Sequence, residues 1–183
     1  VLRDVTINFE NKKALDTVSL TIPARSKIAV VGASASGKST LLRMFQGLLY
    51  PNSGIMEVDG ENVRSLDISN YRNQIAMVDT HSVFFTGTIE ENLRIVKPNI
   101  SDRELEEALH LSGFSRMVKN FPDGLSTEIN QFGAPLSEGN RIALSIARNL
   151  ISRPRILLLD EALASLDKSS QVWLFENLKE PVH

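Results

Sequence analysis

The residues best suited to chemistry form one run, Gly32-Ala33-Ser34-Ala35-Ser36-Gly37-Lys38-Ser39-Thr40. Two glycines flanking four residues, then a lysine and a hydroxyl, meet the spacing Gly-x-x-x-x-Gly-Lys-Ser of a phosphate-binding loop. A triphosphate needs many donors at close range. Glycines let the backbone wrap phosphate oxygens, and a helix starting near Lys38 aims free N–H groups and its positive dipole end at them. Lys38 supplies a point charge for the β- and γ-phosphates, and the Ser39 hydroxyl is a ligand for Mg²⁺. A chance glycine-rich turn is the bland alternative, and the strand-like and helix-like flanks weigh against it. Ala35 stands where many such loops carry glycine.

A second chemical feature is the acidic pair Asp160-Glu161, which closes the apolar run Arg155–Leu159. A Mg²⁺ site needs another rigid carboxylate near the phosphates, and Asp160 at a strand end is suited to hold a metal-bound water. Glu161, one residue on, is suited to polarise an attacking water as general base. Acidic residues that merely face solvent at a strand end are the alternative.

These residues require elements that position them. Residues 3–22 alternate loosely, with Val5, Ile7, Phe9, Leu15, Val18, Leu20 and Ile22 apolar and a polar turn at Glu10–Lys13, which predicts antiparallel strands. Lys27–Val31 (KIAVV) predicts a strand covered on both faces. A helix is expected from Lys38 to about Leu48, with Leu41, Leu42, Met44, Phe45 and Leu48 buried and Pro51–Gly54 stopping it. Ile55–Val58 followed by Asp59-Gly60 suggests a strand and turn. Ser101 and Glu104 form a capping-box pattern ahead of Leu105, Ala108 and Leu109. Further helices are expected over Glu138–Ile151 and about Lys168–Glu180, the latter capped by Asp167. Between them, Arg155–Leu159 predicts a buried strand. The plan is α/β: a P-loop core with an antiparallel β subdomain and an inserted α-helical subdomain. The expected division is about 1–79 and 150–183 for the core and about 80–149 for the helical part.

Composition sets the outer limits. The chain has 183 residues, 42% hydrophobic and 23% charged, as in an ordinary soluble protein. A net charge of −2 gives no broad reason to expect nucleic acid or an anionic membrane as the main partner. Without cysteine there is no disulfide framework and no thiolate metal site. No apolar run approaches the roughly 20 residues of a spanning helix, and Arg3, Asp4, Asn8 and Glu10 interrupt any signal-peptide core. The chain reads as a piece excised from something longer.

Leu136–Asn140 (LSEGN) and the following RIALSIARNLISRPRILLLDEALASLD resemble the signature motif, Walker B strand and D-loop of ATP-binding cassette (ABC) proteins. With the Walker A loop at Gly32–Thr40, the likeness covers essentially the whole chain. It implies ATP and Mg²⁺ as cofactors and an ATPase activity in which Lys38 and Glu161 are catalytic. It implies nucleotide contacts from Gly32, Ala33, Ser34, Ala35, Ser36, Gly37, Lys38, Ser39 and Thr40, with Phe9 stacking on adenine in place of the usual tyrosine. Ser137 and Gly139 would meet the γ-phosphate held by a second cassette, identical or not, and Asp167 would communicate across that dimer. Metal contacts would come from Ser39, Asp160 and Thr80, which stands at the Q-loop glutamine. Two stretches resemble exporters: Ile75–Leu93 (IAMVDTHSVFFTGTIEENL) and Gly124–Asn140 (GLSTEINQFGAPLSEGN), the latter where a TEVGERG loop touches membrane-domain helices. The likeness therefore implies a membrane domain in the same polypeptide, no nucleic-acid partner, and a place at the cytoplasmic face of a membrane, a bacterial inner membrane.

The departures matter equally. Thr80, or His81 in a shifted register, replaces the Q-loop glutamine, and Thr80 is too short to span as the amide does. Glu138 replaces the first glycine of the signature and Asn140 its glutamine; a carboxylate beside a triphosphate is repulsive unless it points away. Arg25 stands where a turn glycine is common. No β-run precedes His183, so the family's switch histidine is not found, and hydrolysis by this stretch alone is expected to be slow or absent. Trp173 with Val172, Phe175 and Leu178 reads as the apolar side of the last helix, and His110 as a packed or half-exposed helix residue. A soluble cassette acting on DNA or ribosomes, and a regulatory cassette with little turnover, are the competing readings. A single-domain P-loop kinase would not need the block from LSEGN to the D-loop.

Overall fold

The computed structural model describes residues 1–10 and 12–178, which gather into two compact units, one running to Ile75 and one from Ala76.

In the first unit β1 (Leu2–Phe9) pairs antiparallel with β2 (Lys12–Leu20) and with β3 (Ser53–Val58), and β4 (Glu61–Asn62) completes the order β2-β1-β3-β4. Alternation decides which face is buried: Val5 lies opposite Val18 and Ile7 opposite Leu15. Leu2, Val5, Ile7 and Leu15 bury against Leu41 and Met44 of α1 (Lys38–Phe45) and Tyr71 of α2 (Ile68–Arg72). The predicted turn at Asp59-Gly60 joins β3 to β4 with both residues left-handed, φ 50 and 87, as a tight hairpin turn requires.

Helix α1 stops three residues short of the expected Leu48. Gly47, at φ 67, donates its N–H to Met44 O at 2.9 Å, and Leu48 N–H bonds to Arg43 O at 3.0 Å. That pair of bonds is a Schellman cap, which satisfies the last carbonyls and ends the helix before Pro51 is reached. Leu41 and Met44 face the core as expected, but Leu48, beyond the cap, is 53% exposed. Tyr71 donates its hydroxyl to Phe45 O in the last turn of α1, and burial pushes the phenol up to about 12.

The expected strand over Lys27–Val31 does not form, and its side chains are not covered. Ile28, Val30 and Val31 are 49%, 39% and 89% exposed, and the segment joins no ladder among the described residues. β-branched residues favour extended backbone only weakly; a strand needs neighbours on its edges and a surface to pack on.

The second unit is mainly helical. Helix α3 (Ile89–Arg94), α4 (Asp102–Leu111), α5 (Phe114–Val118), α6 (Glu138–Ile151) and α7 (Lys168–Asn177) enclose a core in which Ile142, Ala143, Leu144, Ile146 and Ala147 are fully buried. Full burial of each such Leu or Ile contributes about 1.5–3 kcal/mol, so α6 is the centre of the unit. The expected bounds of α6 hold, as does the Ser101–Glu104 capping box of α4. Short strands β6 (Gly87–Thr88) and β7 (Glu128–Ile129) pair antiparallel. β5 (Ile75–Val78), at the boundary, pairs with β8 (Ile156–Leu159). β8 was expected to be buried, yet only Leu158 is, and Ile156 is 36% exposed, because among the described residues β8 ladders with β5 alone.

The last helix also differs from its expected stripe. Leu174 is its buried residue and Leu178, expected in the stripe, packs partly buried against the same core, while Val172 and Phe175 are 47% and 46% exposed. Trp173, half-buried, instead lies edge-on to the exposed His110, ring centroids 5.1 Å apart, and donates Nε1–H to His110 O at 2.9 Å. The cap at Asp167 holds as expected, but Lys179, Glu180 and His183 lie outside the described residues.

Candidate nucleotide site

The phosphate loop is held in its shape by its own lysine. Lys38 Nζ donates to Gly32 O at 3.1 Å and to Ala33 O at 3.0 Å, drawing the start of the loop toward the start of α1. Two left-handed residues bend the chain, Ala35 at φ 60 and Gly37 at φ 93. Glycine is required at the second: a Cβ on Gly37 would stand 2.3 Å from Ala14 O. At Gly32 a Cβ would meet Ser36 Oγ at 2.6 Å. Gly37 is the N-cap of α1 and, having no side chain, supplies no cap hydrogen bond to the first N–H groups of the helix. An exposed loop, a helix start with a glycine N-cap and a cation fit a bound polyphosphate. Ser39 and Thr40 follow in the first turn of α1, partly buried. Phe9 ends β1 opposite Lys12 and is 48% exposed, its ring available for stacking.

The other expected residues lie in the second unit. Asp160 follows β8, half-buried, and its N–H bonds to Val78 O at 2.9 Å, which sets it beside the end of β5 two residues before Thr80. Glu161 has φ 56, a left-handed backbone that costs a residue with a Cβ about 1–2 kcal/mol. It caps the short 3₁₀ helix Ala162–Ser165, and its side chain is exposed. Strain of this kind clusters where function demands a particular side-chain placement. Asp167 caps α7: its carboxylate accepts from Ser170 N at 3.0 Å and from the Ser169 and Ser170 hydroxyls, which hold it well below the usual carboxylate range. Ser137 caps α6 by accepting from Asn140 N at 3.2 Å.

The signature and D-loop segments touch one another. A Cβ on Gly139 would come within 3.1 Å of Ser165 O, and Ser165 Oγ donates to Glu138 Oε1. The Glu138 carboxylate, expected to turn from any phosphate, is engaged by the Ser165 hydroxyl. At the Q-loop position, Thr80 Oγ1 lies 3.2 Å from His81 Nδ1 and His81 N–H bonds to Asp79 Oδ1. The two exporter-like stretches meet through β6 and β7 and through Phe84 N–H bonding to Gln131 O at 3.2 Å. Around that junction Val83, Phe85 and Phe132 are 68%, 57% and 71% exposed.

Sequence reading missed two residues. Asn92, 1% exposed, accepts from Phe85 N–H and donates to Phe85 O and Thr88 O, fixing the loop ahead of α3. The available signal was an asparagine on the same helix face as Ile89 and Leu93. Ser165, the partner of Glu138, gave no such sign. A cavity of about 290 Å³, lined by Met77, Asp79, Ser82, Val96, Ser145, Arg148, Asn149 and Ser152, holds none of the expected site residues.

Comparison with known proteins gives the family. Residues 15–164 match the family model described as ABC transporter. The chain is 37% identical over 170 residues to "Uncharacterized ABC transporter ATP-binding protein YknV" of Bacillus subtilis (strain 168), covering 93% of this chain and 28% of that one. It is 33% identical over 168 residues to the "ATP-dependent lipid A-core flippase" of Desulfotalea psychrophila (strain LSv54 / DSM 12343), covering 92% and 29%. A solved structure, "Structure of a bacterial Atm1-family ABC exporter with ATP bound", superposes with a TM-score of 0.89 at 28% identity over 97% of this chain and 31% of that one. The chain thus spans less than a third of the length of these relatives. Its fold is that of the P-loop ATPase of ABC proteins, and the chain belongs to the ABC transporter family, as an exporter-like ATP-binding domain.

Proposed function

We propose that this domain binds and hydrolyses ATP for a membrane exporter, working with a second cassette and with a membrane domain of the same polypeptide at the cytoplasmic face of a bacterial inner membrane. The observation that carries the reading is the phosphate loop: Lys38 bound back to Gly32 and Ala33 O, at an α1 start whose N-cap is the left-handed Gly37. Loop N–H groups and Lys38 hold the β- and γ-phosphates, and Phe9 stacks on adenine. Ser39 and Asp160, with Thr80 nearby in sequence to the β5 end, would hold Mg²⁺, which when bound offsets phosphate charge. Glu161 orients the attacking water and takes its proton as general base. Ser137 and Gly139 at the tip of α6 receive the γ-phosphate from the second cassette, and Asp167 relays the contact across the pair. On this reading segments 1–79 and 150–183 act as one core carrying 80–149 as a helical arm. The exposed apolar junction of Val83, Phe85 and Phe132 supports a membrane-domain contact there. Nucleic acid is not proposed as a partner, in keeping with the net charge of −2.

A second reading, a cassette that binds ATP but turns it over weakly, is favoured by Thr80. Its hydroxyl lies 3.2 Å from His81 Nδ1, and it cannot reach as far as an amide.

The test is calorimetric titration of ATP–Mg²⁺ into the chain and into Lys38→Ala. Loss of measurable binding is expected; undiminished affinity overturns the assignment of the loop.

A further inference from the structure

Glu138 occupies the first position of α6, beside N–H groups that precede the first intrahelical bond, Arg141 N to Ser137 O. Such groups attract negative charge, and a carboxylate in the first turn is the nearest anion they can take. If it turned inward, Glu138 would neutralise the tip of its own helix and repel any phosphate brought there. In the structure its carboxylate has a side-chain partner: Ser165 Oγ, 27 residues along the chain, donates to Glu138 Oε1. The two segments pack closely there: a Cβ at Gly139 would stand 3.1 Å from Ser165 O, tight enough that the backbone would have to give slightly. Ser165 in turn ends the 3₁₀ helix two residues before Asp167, the cap of α7.

We propose that Glu138 is a positioning residue whose carboxylate is parked by Ser165, so that the tip of α6 stays open to an incoming phosphate. The proposal rests on the reading above, in which that tip meets the nucleotide of a second cassette. Two consequences follow. Releasing Glu138 creates an internal anion that competes with the γ-phosphate through charge. The bond also joins the α6 tip to the turn carrying Asp167, so the two segments facing the partner move together.

The test compares the chain with Ser165→Ala, Glu138→Gln and the double variant, following association by sedimentation velocity as a non-hydrolysable ATP analogue and Mg²⁺ are added. Circular dichroism melting confirms that each variant folds. Ser165→Ala is expected to weaken association about tenfold through the freed charge. Glu138→Gln, whose amide oxygen still accepts from Ser165 but carries no charge, is expected to associate at least as well as the parent. In the Glu138→Gln background the loss of the Ser165 hydroxyl should then cost less than about twofold. Equal losses in both backgrounds overturn the role given to Glu138 and leave the composite site standing. No nucleotide-driven association of the parent chain overturns the composite site, and the role of Glu138 with it.

Discussion

Gly37 and Ala14 are in backbone contact: a single methyl group added to Gly37 would lie 2.3 Å from the Ala14 carbonyl oxygen. The start of α1 is therefore seated directly on β2, and the phosphate loop inherits its position from the antiparallel sheet. Gly37→Ala combines that clash with a left-handed backbone at φ 93, and it is expected to destabilise the chain by roughly 2–4 kcal/mol. Urea denaturation checks the stability. Titration with ATP should show weakened binding even under conditions where the variant is folded.

Glu161 sits at φ 56, where glycine is at ease. Compared with Glu161→Ala, which loses the same side-chain contacts, Glu161→Gly is expected to be more stable by roughly 0.5–1 kcal/mol, the relief of strain exceeding the added freedom of the unfolded chain. The same change should remove phosphate release under single-turnover conditions, whereas Glu161→Gln should remove it without the relief of strain. A glycine variant that is less stable than Glu161→Ala would show that the backbone strain is not carried at this residue.

Asn92 satisfies three backbone groups around Phe85 and Thr88 while almost wholly buried. Replacing it with leucine, of similar size, strands those groups and is expected to cost about 3 kcal/mol. Chemical denaturation gives the number. Hydrogen exchange should show the loss of protection centred on residues 84–92, because the asparagine fixes that loop locally.

Glu104 is held low, at about 2 against an ordinary 4.5, first by its bond from Lys97 and then by the Ser101 hydroxyl and N–H. A carboxyl held down when folded contributes stability that is complete above its ordinary value and is lost as pH falls toward the folded one. The stability gap between the parent and Glu104→Gln should therefore be widest above about pH 5 and close as pH falls from there toward about 2. Urea midpoints across that range test it; a gap that does not change with pH would place the effect in shape rather than charge.

Much of this molecule is decided by short-range rules that a linear reading captures. The Ser101–Glu104 box, the Asp167 cap, the Asp59-Gly60 turn and the full extent of α6 depend on neighbours within a few residues, and all appear where expected. The phosphate loop belongs to the same class, because its lysine, glycines and helix start lie within one short stretch, and its motifs carried family membership directly.

What only the tertiary structure decided lies between distant segments. Apolar character made Lys27–Val31 a strand and Arg155–Leu159 buried, but pairing partners determine both outcomes, and those are not written in the runs themselves. Spacing places Trp173 in an apolar stripe, yet the His110 carbonyl and ring claim it, while Leu174 goes to the core with Leu178 packed against it. Likewise the sequence alone gave reason for Glu138 to turn from a phosphate. Only folding, by bringing Ser165 within a hydrogen bond of it, supplied a partner for its carboxylate.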